Sequence, residues 1–215
     1  MKSINFIFDL DGTLVDSKQV IYDAINSVRE KYNLEKMLMA KFEPVFGMSL
    51  EDILETLTPG FQFNQQMAIE IRFTILEHGK KGSVLYPGVV DLLKFLKLRD
   101  FGLSIATNKP QKIAQVVVAN SSLAEFFTVV VGTGQLKPKP SGEIIHKCKG
   151  EIPALKYVVV GDQLVDFHAG KIAGCATIGI GEVFMGKSDL QNSYGHRNYK
   201  SLDELAFGIR EYLNE

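Results

Sequence analysis

The chain has 215 residues, 46% of them hydrophobic and 23% charged, which are ordinary proportions for a globular protein. A chain of this length removes roughly 70% of its unfolded surface from water, so it folds without disulfide or metal staples. The 24 basic and 25 acidic side chains leave a formal net charge of -1, which argues against a protein that works by non-specific nucleic-acid binding. Its two cysteines, Cys148 and Cys175, lie far apart without a nearby histidine pair, so neither a disulfide framework nor a thiolate zinc site is expected.

The first element is an apolar run, Ile4–Phe8, that ends at Asp9. It is too short for a signal peptide or a membrane span, and no later segment reaches spanning length. The expectation is a soluble, cytoplasmic protein with neither membrane nor nucleic acid as partner. Similar short runs rich in Val, Ile and Phe follow at Leu103–Thr107, Thr128–Gly132, Tyr157–Gly161 and Ala176–Ile180. Apolar runs without alternation suit strands buried on both faces of a parallel sheet. Helical spacing separates most of them: Val89 to Asp100, Gln111–Asn120, Gly142–Cys148 and Asp166–Ala173. Strand–helix alternation implies an α/β fold with a doubly wound, mostly parallel sheet, binding ligands beyond the carboxyl ends of its strands.

Residues 17–83 break that rhythm. Val20, Ile21, Ala24, Ile25, Val28 and Tyr32 follow helical spacing, Ser49-Leu50-Glu51-Asp52 reads as a capping box before Ile53, Leu54 and Leu57, and Met67 to Leu76 form a third helical stretch. This segment reads as an all-helical insert, leaving 1–16 and 84–215 as the α/β core. Ser201-Leu202-Asp203-Glu204 is a second capping box and opens a terminal helix.

Chemistry gathers where strands end. Asp9-Leu10-Asp11-Gly12-Thr13 puts two carboxylates two residues apart after the first strand, with a glycine that lets the backbone turn and expose amides to an anion. One carboxylate suits a nucleophile and the other a proton carrier. The same residues also suit a plain turn. Thr107-Asn108-Lys109 follows the second strand, offering a hydroxyl for a phosphoryl oxygen or simply a helix cap. Lys137, in Leu136-Lys137-Pro138-Lys139-Pro140, offers a compact positive charge on a stiff loop, or an ordinary solvated one. Gly161-Asp162-Gln163-Leu164-Val165-Asp166 adds two more carboxylates, which with Asp9 would form an oxygen-rich site suited to Mg²⁺.

Together, Asp9-Leu10-Asp11-Gly12-Thr13, Thr107, Lys137 and Gly161-Asp162…Asp166 resemble the four motifs of the haloacid dehalogenase-like phosphohydrolases. The run from Asp9 to Ser17 is especially similar to phosphoglycolate-phosphatase-like members, and residues 17–83 sit where that family carries an α-helical cap. The resemblance implies a Mg²⁺-dependent phosphatase of small phosphorylated metabolites, working through an aspartyl-phosphate. Asp9 would be the nucleophile and Asp11 the general acid and base. Thr107 and Lys137 would hold the transferring phosphoryl group, with Gly12, Thr13, Asn108 and Lys109 as substrate-binding residues. Mg²⁺ would be bound by the side chains of Asp9 and Asp162 and the main-chain carbonyl of Asp11, supported by Asp166. Gln163 departs from the small hydroxyl residue frequent at its position, and His168 from a small apolar one; a helix-surface histidine is the simpler reading.

Substrate choice would lie with the cap. Its Phe46-Gly47-Met48-Ser49 stretch suits a loop over the site, and Arg29, Lys31 or Arg72 would be available to a substrate carboxylate, against the plainer reading of a solvated charged face. Phosphoglycolate is one candidate; related enzymes handle sugar phosphates, nucleotides and pyrophosphate. A haloacid dehalogenase would not need Asp11. A sugar phosphomutase shares every motif, and a receiver-like signalling module shares the Asp, Thr and Lys but lacks the Asp9-to-Thr13 signature and the insert. A monomer or homodimer fits either enzyme.

Overall fold

Val, Ile and Phe crowd both faces of their backbones, and residues with that demand are satisfied inside a sheet covered on two sides. The computed structural model describes residues 1–57, 65–181 and 196–214. Its sheet has six strands, β1 (Lys2–Phe8), β2 (Gly102–Pro110), β3 (Val129–Thr133), β4 (Ala154–Gly161), β5 (Ala176–Ile180) and β6 (His196–Tyr199). They run in the order β3-β2-β1-β4-β5-β6, and every pairing is parallel. Alternate residues of β1 face opposite ways. Phe6 and Phe8 join the apolar cluster on one face, and Ile7 joins the cluster on the other.

Helices α5 (Val89–Leu98) and α6 (Gln111–Ala119) cover the first face, where Leu92, Leu93, Leu96, Ile113 and Val117 are buried. The terminal helix α9 (Leu202–Asn214) adds Leu202 and Leu205 there. The second face is covered by α7 (Glu143–Glu151) and α8 (Leu164–Ile172), through Ile144, Ile145 and Ala169. This is the expected doubly wound α/β fold, and its register aligns the strand ends. Phe8 lies opposite both Ile105 of β2 and Val160 of β4, so the residues that follow emerge side by side.

Between β1 and α5 the described chain is helical: α1 (Lys18–Lys31), α2 (Met39–Phe42), α3 (Leu50–Leu57) and α4 (Gln65–Lys80). Ser49 caps α3 by accepting the Asp52 N–H at 3.2 Å, as its sequence pattern suggested. Ile25, Phe42 and Ile71 from this segment are buried in the same apolar cluster as the first face of the sheet, and α4 packs against α6. No described helix is long and apolar enough to cross a membrane.

Several elements differ from expectation: β2 runs on to Pro110 past the anticipated end at Thr107, β4 begins at Ala154 rather than Tyr157, and the short α2 was not anticipated. β6 was not anticipated because His196-Arg197-Asn198-Tyr199 is polar; it is an edge strand, paired on one side with β5, and an edge needs no apolar run. Helix α8 starts at Leu164 rather than Asp166, because Gln163 and Asp166 together close a capping box at its N-terminus.

Candidate active site

Asp9 leaves β1 with its N–H still bonded to the Val160 carbonyl at 2.8 Å, which fixes it beside the end of β4. This is the crevice where strand order turns back on either side of β1, the usual ligand position in an open parallel sheet. Oxygen atoms of Asp9, Asp162 and Asp166 lie within 4.8 Å of one another. Two glycines permit the approach. A Cβ on Gly161 would stand 2.3 Å from Asp166 Cγ. Gly12, at φ 90°, would put one 2.4 Å from Asp162 Oδ2 in a backbone region that side chains disfavour. Thr13 then donates to Asp162 Oδ1 at 2.7 Å, and Gln163 Nε2 donates to Asp162 Oδ2 at 3.0 Å.

Three carboxylates this close and this buried repel one another. Burial, then the charges of Asp166 and Asp162, push the Asp9 carboxyl well above the usual range, against the pull of Lys139. Burial and Asp166 push Asp162 up to about 6. Among the described residues, the cation inside the cluster is Lys139. Its Nζ donates to Asp9 Oδ1 at 2.7 Å, Asp166 Oδ1 at 2.5 Å and the Ala106 carbonyl at 3.0 Å. Burial alone would lower that ammonium, but Asp166 and Asp9 outweigh it and raise it. All-oxygen donors with an uncompensated negative charge fit a hard divalent cation such as Mg²⁺.

Lys139 corrects the sequence expectation for Lys137. The side chain of Lys137 is 78% exposed and pairs with Glu143 at the surface, 3.7 Å away. The two lysines occupy equivalent Lys-Pro steps, and what selects the second is Asn108. Asn108 Oδ1 accepts the Lys139 N–H at 2.7 Å while its Nδ2 donates to the Lys139 and Gly47 carbonyls, both at 3.1 Å. Asn108 was expected to bind substrate; its amide is instead filled by backbone, clamping the Lys139 loop to the Gly47 loop.

Thr107 is buried at the end of the site, its Oγ1 accepting the Lys109 N–H at 3.1 Å, which leaves its hydroxyl proton to donate elsewhere. Lys109 Nζ donates to both oxygens of Asp11, at 2.8 and 2.7 Å, and Ser17 donates to Asp11 Oδ1 at 2.5 Å. Ser17 precedes α1 yet makes no side-chain cap, because its hydroxyl faces Asp11. Neither contact was read from the sequence. Ser17 looked like any residue before a helix, and nothing local to it marks a partner six positions away. The carboxylate of Asp11 stands outside the Asp9–Asp162–Asp166 cluster.

Asp9, Asp11, Thr107 and Lys109 line a pocket of about 50 Å³ together with Phe46 and Arg72 of the helical segment. That leaves room for a few water molecules. Of the insert's other candidate cations, Arg29 is buried with Nε donating to the Glu35 carbonyl at 2.8 Å, and Lys31 pairs with Glu70 at the surface. His168 is exposed on α8, against the Phe167 ring.

A doubly wound sheet with acidic strand ends and a lysine threaded between them defines a class of hydrolase, and a sequence model of the haloacid dehalogenase-like hydrolases matches residues 6–180. The chain belongs to that family. It is 30% identical over 193 residues to a phosphoglycolate phosphatase of Vibrio cholerae serotype O1, covering 84% of this chain and 85% of that one. It is 26% identical over 214 residues to the pyrophosphatase PpaX of Listeria welshimeri, covering 98% of each. Among solved structures, a haloacid dehalogenase-like hydrolase from Bacteroides fragilis superposes with a TM-score of 0.80 over 95% of this chain and all of its own, at 21% identity.

Proposed function

We propose that the protein is a Mg²⁺-dependent phosphatase of small phosphomonoesters, working through a phosphorylated Asp9, with residues 17–83 as the substrate-selecting cap on a core formed by 1–16 and 84–215. The observation that carries this reading is the Asp9–Asp162–Asp166 cluster around Lys139, at the end of the strand that places Asp11 beside it.

In this mechanism an Asp9 carboxylate oxygen attacks phosphorus, forming an Asp9–phosphorus bond as the bond to the ester oxygen breaks. Asp11 gives its proton to the leaving alkoxide. It then takes a proton from the water that attacks the phospho-Asp9, releasing phosphate and restoring the Asp9 carboxylate. Thr107 donates its hydroxyl to a phosphoryl oxygen. Lys139 offsets the charge of Asp9 and of the incoming ester. The side chains of Asp9 and Asp162 and the Asp11 carbonyl would hold Mg²⁺, with Asp166 in support. The bound cation supplies the remaining positive charge that lets an anionic nucleophile approach an anionic ester. The names of the Vibrio and Listeria relatives support a small, highly charged substrate.

The test is a screen of phosphorylated metabolites for Mg²⁺-dependent phosphate release, with Asp9→Asn in parallel. Release by the unaltered protein and loss of several orders of magnitude in the variant are expected. An Asp9→Asn protein that keeps a tenth of the activity, with deamidation excluded by mass spectrometry, overturns the assignment.

A further inference from the structure

We infer that Arg72 reads a second anionic group on the substrate, and that Glu51 occupies that place when no substrate is bound. The inference rests on the phosphatase reading for the position of the first anion, the phosphoryl group at Asp9. Two cations line the pocket from side chains, Lys109 and Arg72. Both oxygens of Asp11 already occupy Lys109, and that pair is nine-tenths buried. Arg72 is differently placed. Its Nη2 pairs with Glu51 Oε1, while its Nε is buried with no hydrogen-bond acceptor among the described residues.

A guanidinium offers five donors in a rigid fork that matches carboxylate and phosphate oxygens two at a time. A donor shut away from water without an acceptor is costly and marks a position where an acceptor belongs. Glu51 is a weak holder of the remaining donors, because its side chain is 49% exposed and that of Arg72 33%, and solvent screens such pairs. Glu51 lies in the first turn of α3 and Arg72 on α4, so both belong to the helical segment, and Arg72 lines the pocket that Asp9 lines. A substrate anion beside the phosphoryl group would displace Glu51 and engage the fork including Nε. An ester with an uncharged tail would leave the Arg72–Glu51 pair in place and gain nothing from it. The shared chemistry is a second acidic group a few bonds from phosphorus, either a carboxylate or another phosphoryl.

The experiment is calorimetric binding with Mg²⁺ to the Asp9→Asn protein, which separates recognition from turnover. The probes are 2-phosphoglycolate, pyrophosphate and 2-hydroxyethyl phosphate. Adding Arg72→Gln should weaken the better acidic probe at least tenfold more than it weakens 2-hydroxyethyl phosphate, and Arg72→Lys should recover part of that difference. Glu51→Gln removes the internal competitor and should tighten the same acidic probe. A carboxylate partner predicts the larger effect with 2-phosphoglycolate, and a second phosphoryl with pyrophosphate. Equal weakening of all three probes by Arg72→Gln, no weakening of either acidic probe, or no gain from Glu51→Gln overturns the inference. Failure of the unaltered protein to release phosphate would defeat the catalytic reading while leaving these affinities to decide the role of Arg72.

Discussion

Lys109 holds Asp11 by both carboxylate oxygens, at 2.8 and 2.7 Å, in a pair whose side chains are 5% and 11% exposed. Ser17 adds a second donor to Oδ1, while Oδ2 accepts only from Lys109 and keeps a lone pair for a leaving group or a water. Lys109 and Ser17 thereby fix the orientation of the Asp11 carboxylate at the pocket.

A buried pair broken on one side leaves a charge without compensation, which costs about 3–5 kcal/mol. Lys109→Met should destabilise the protein on that scale in urea denaturation. Combining it with Asp11→Asn removes the orphaned charge and should recover most of the loss. A single variant that unfolds within about 1 kcal/mol of the parent would show that water already screens Asp11.

The second prediction separates the two lysines of the Lys137-Pro138-Lys139-Pro140 loop. Lys139→Met removes the cation between Asp9 and Asp166, and turnover should fall by about 10²–10³-fold or more. Lys137→Met alters a surface pair with Glu143, and its turnover should stay within about twofold of the parent. Reversed effects in a steady-state assay would return the role to Lys137.

Those lysines show where the sequence stops being informative. Strand ends announce themselves through apolar runs that stop at Asp9, Thr107 and Gly161, so the fold and the placement of Asp9, Asp11, Thr107, Asp162 and Asp166 were readable in advance. A loop has no such period. Lys137 and Lys139 are indistinguishable by local pattern, and a hydrogen-bonding partner 31 residues earlier, Asn108, decides between them. Arg72 was named from the sequence only as one of three cations, with Arg29 and Lys31, open to a substrate carboxylate, and no local pattern ranked the three. It sits on a helix like any solvated arginine, and it is the packing of α4 against α1 and α6 that brings it to the pocket.

The third prediction concerns metal and pH. Burial and Asp166 hold the Asp162 carboxyl at about 6 in the folded protein, against about 3.9 in an unfolded chain. A carboxyl raised on folding contributes stability that is complete below pH ~4 and lost as pH rises through about 6. The EDTA-treated protein should therefore lose stability between pH 4 and 6, and Asp162→Asn should flatten that slope. Protons and Mg²⁺ compete for the same oxygens, so the gain in Tm from Mg²⁺ should be larger at pH 7 than at pH 5. Equal gains at both pH values would place the cation elsewhere, and full activity after exhaustive chelation would remove it from the reaction.

The last prediction distinguishes proton transfer by Asp11 from simple charge. An aliphatic alkoxide is a poor leaving group and needs a proton as the ester bond breaks, whereas p-nitrophenolate leaves with much less help. Asp11→Asn should therefore slow phosphorylation of Asp9 far more with an alkyl phosphate than with p-nitrophenyl phosphate. The second half-reaction no longer contains the leaving group, so hydrolysis of the phospho-enzyme should slow equally whichever ester formed it. With p-nitrophenyl phosphate the variant should accumulate phospho-Asp9, trappable by acid quench and located by peptide mass spectrometry. Asn at position 11 also loses the ionic hold of Lys109, and that change acts before either ester is cleaved, so it scales both formation rates alike. The ratio of the two rates cancels it and isolates the proton. Formation rates that fall by one common factor would leave Asp11 as the partner of Lys109 and nothing more.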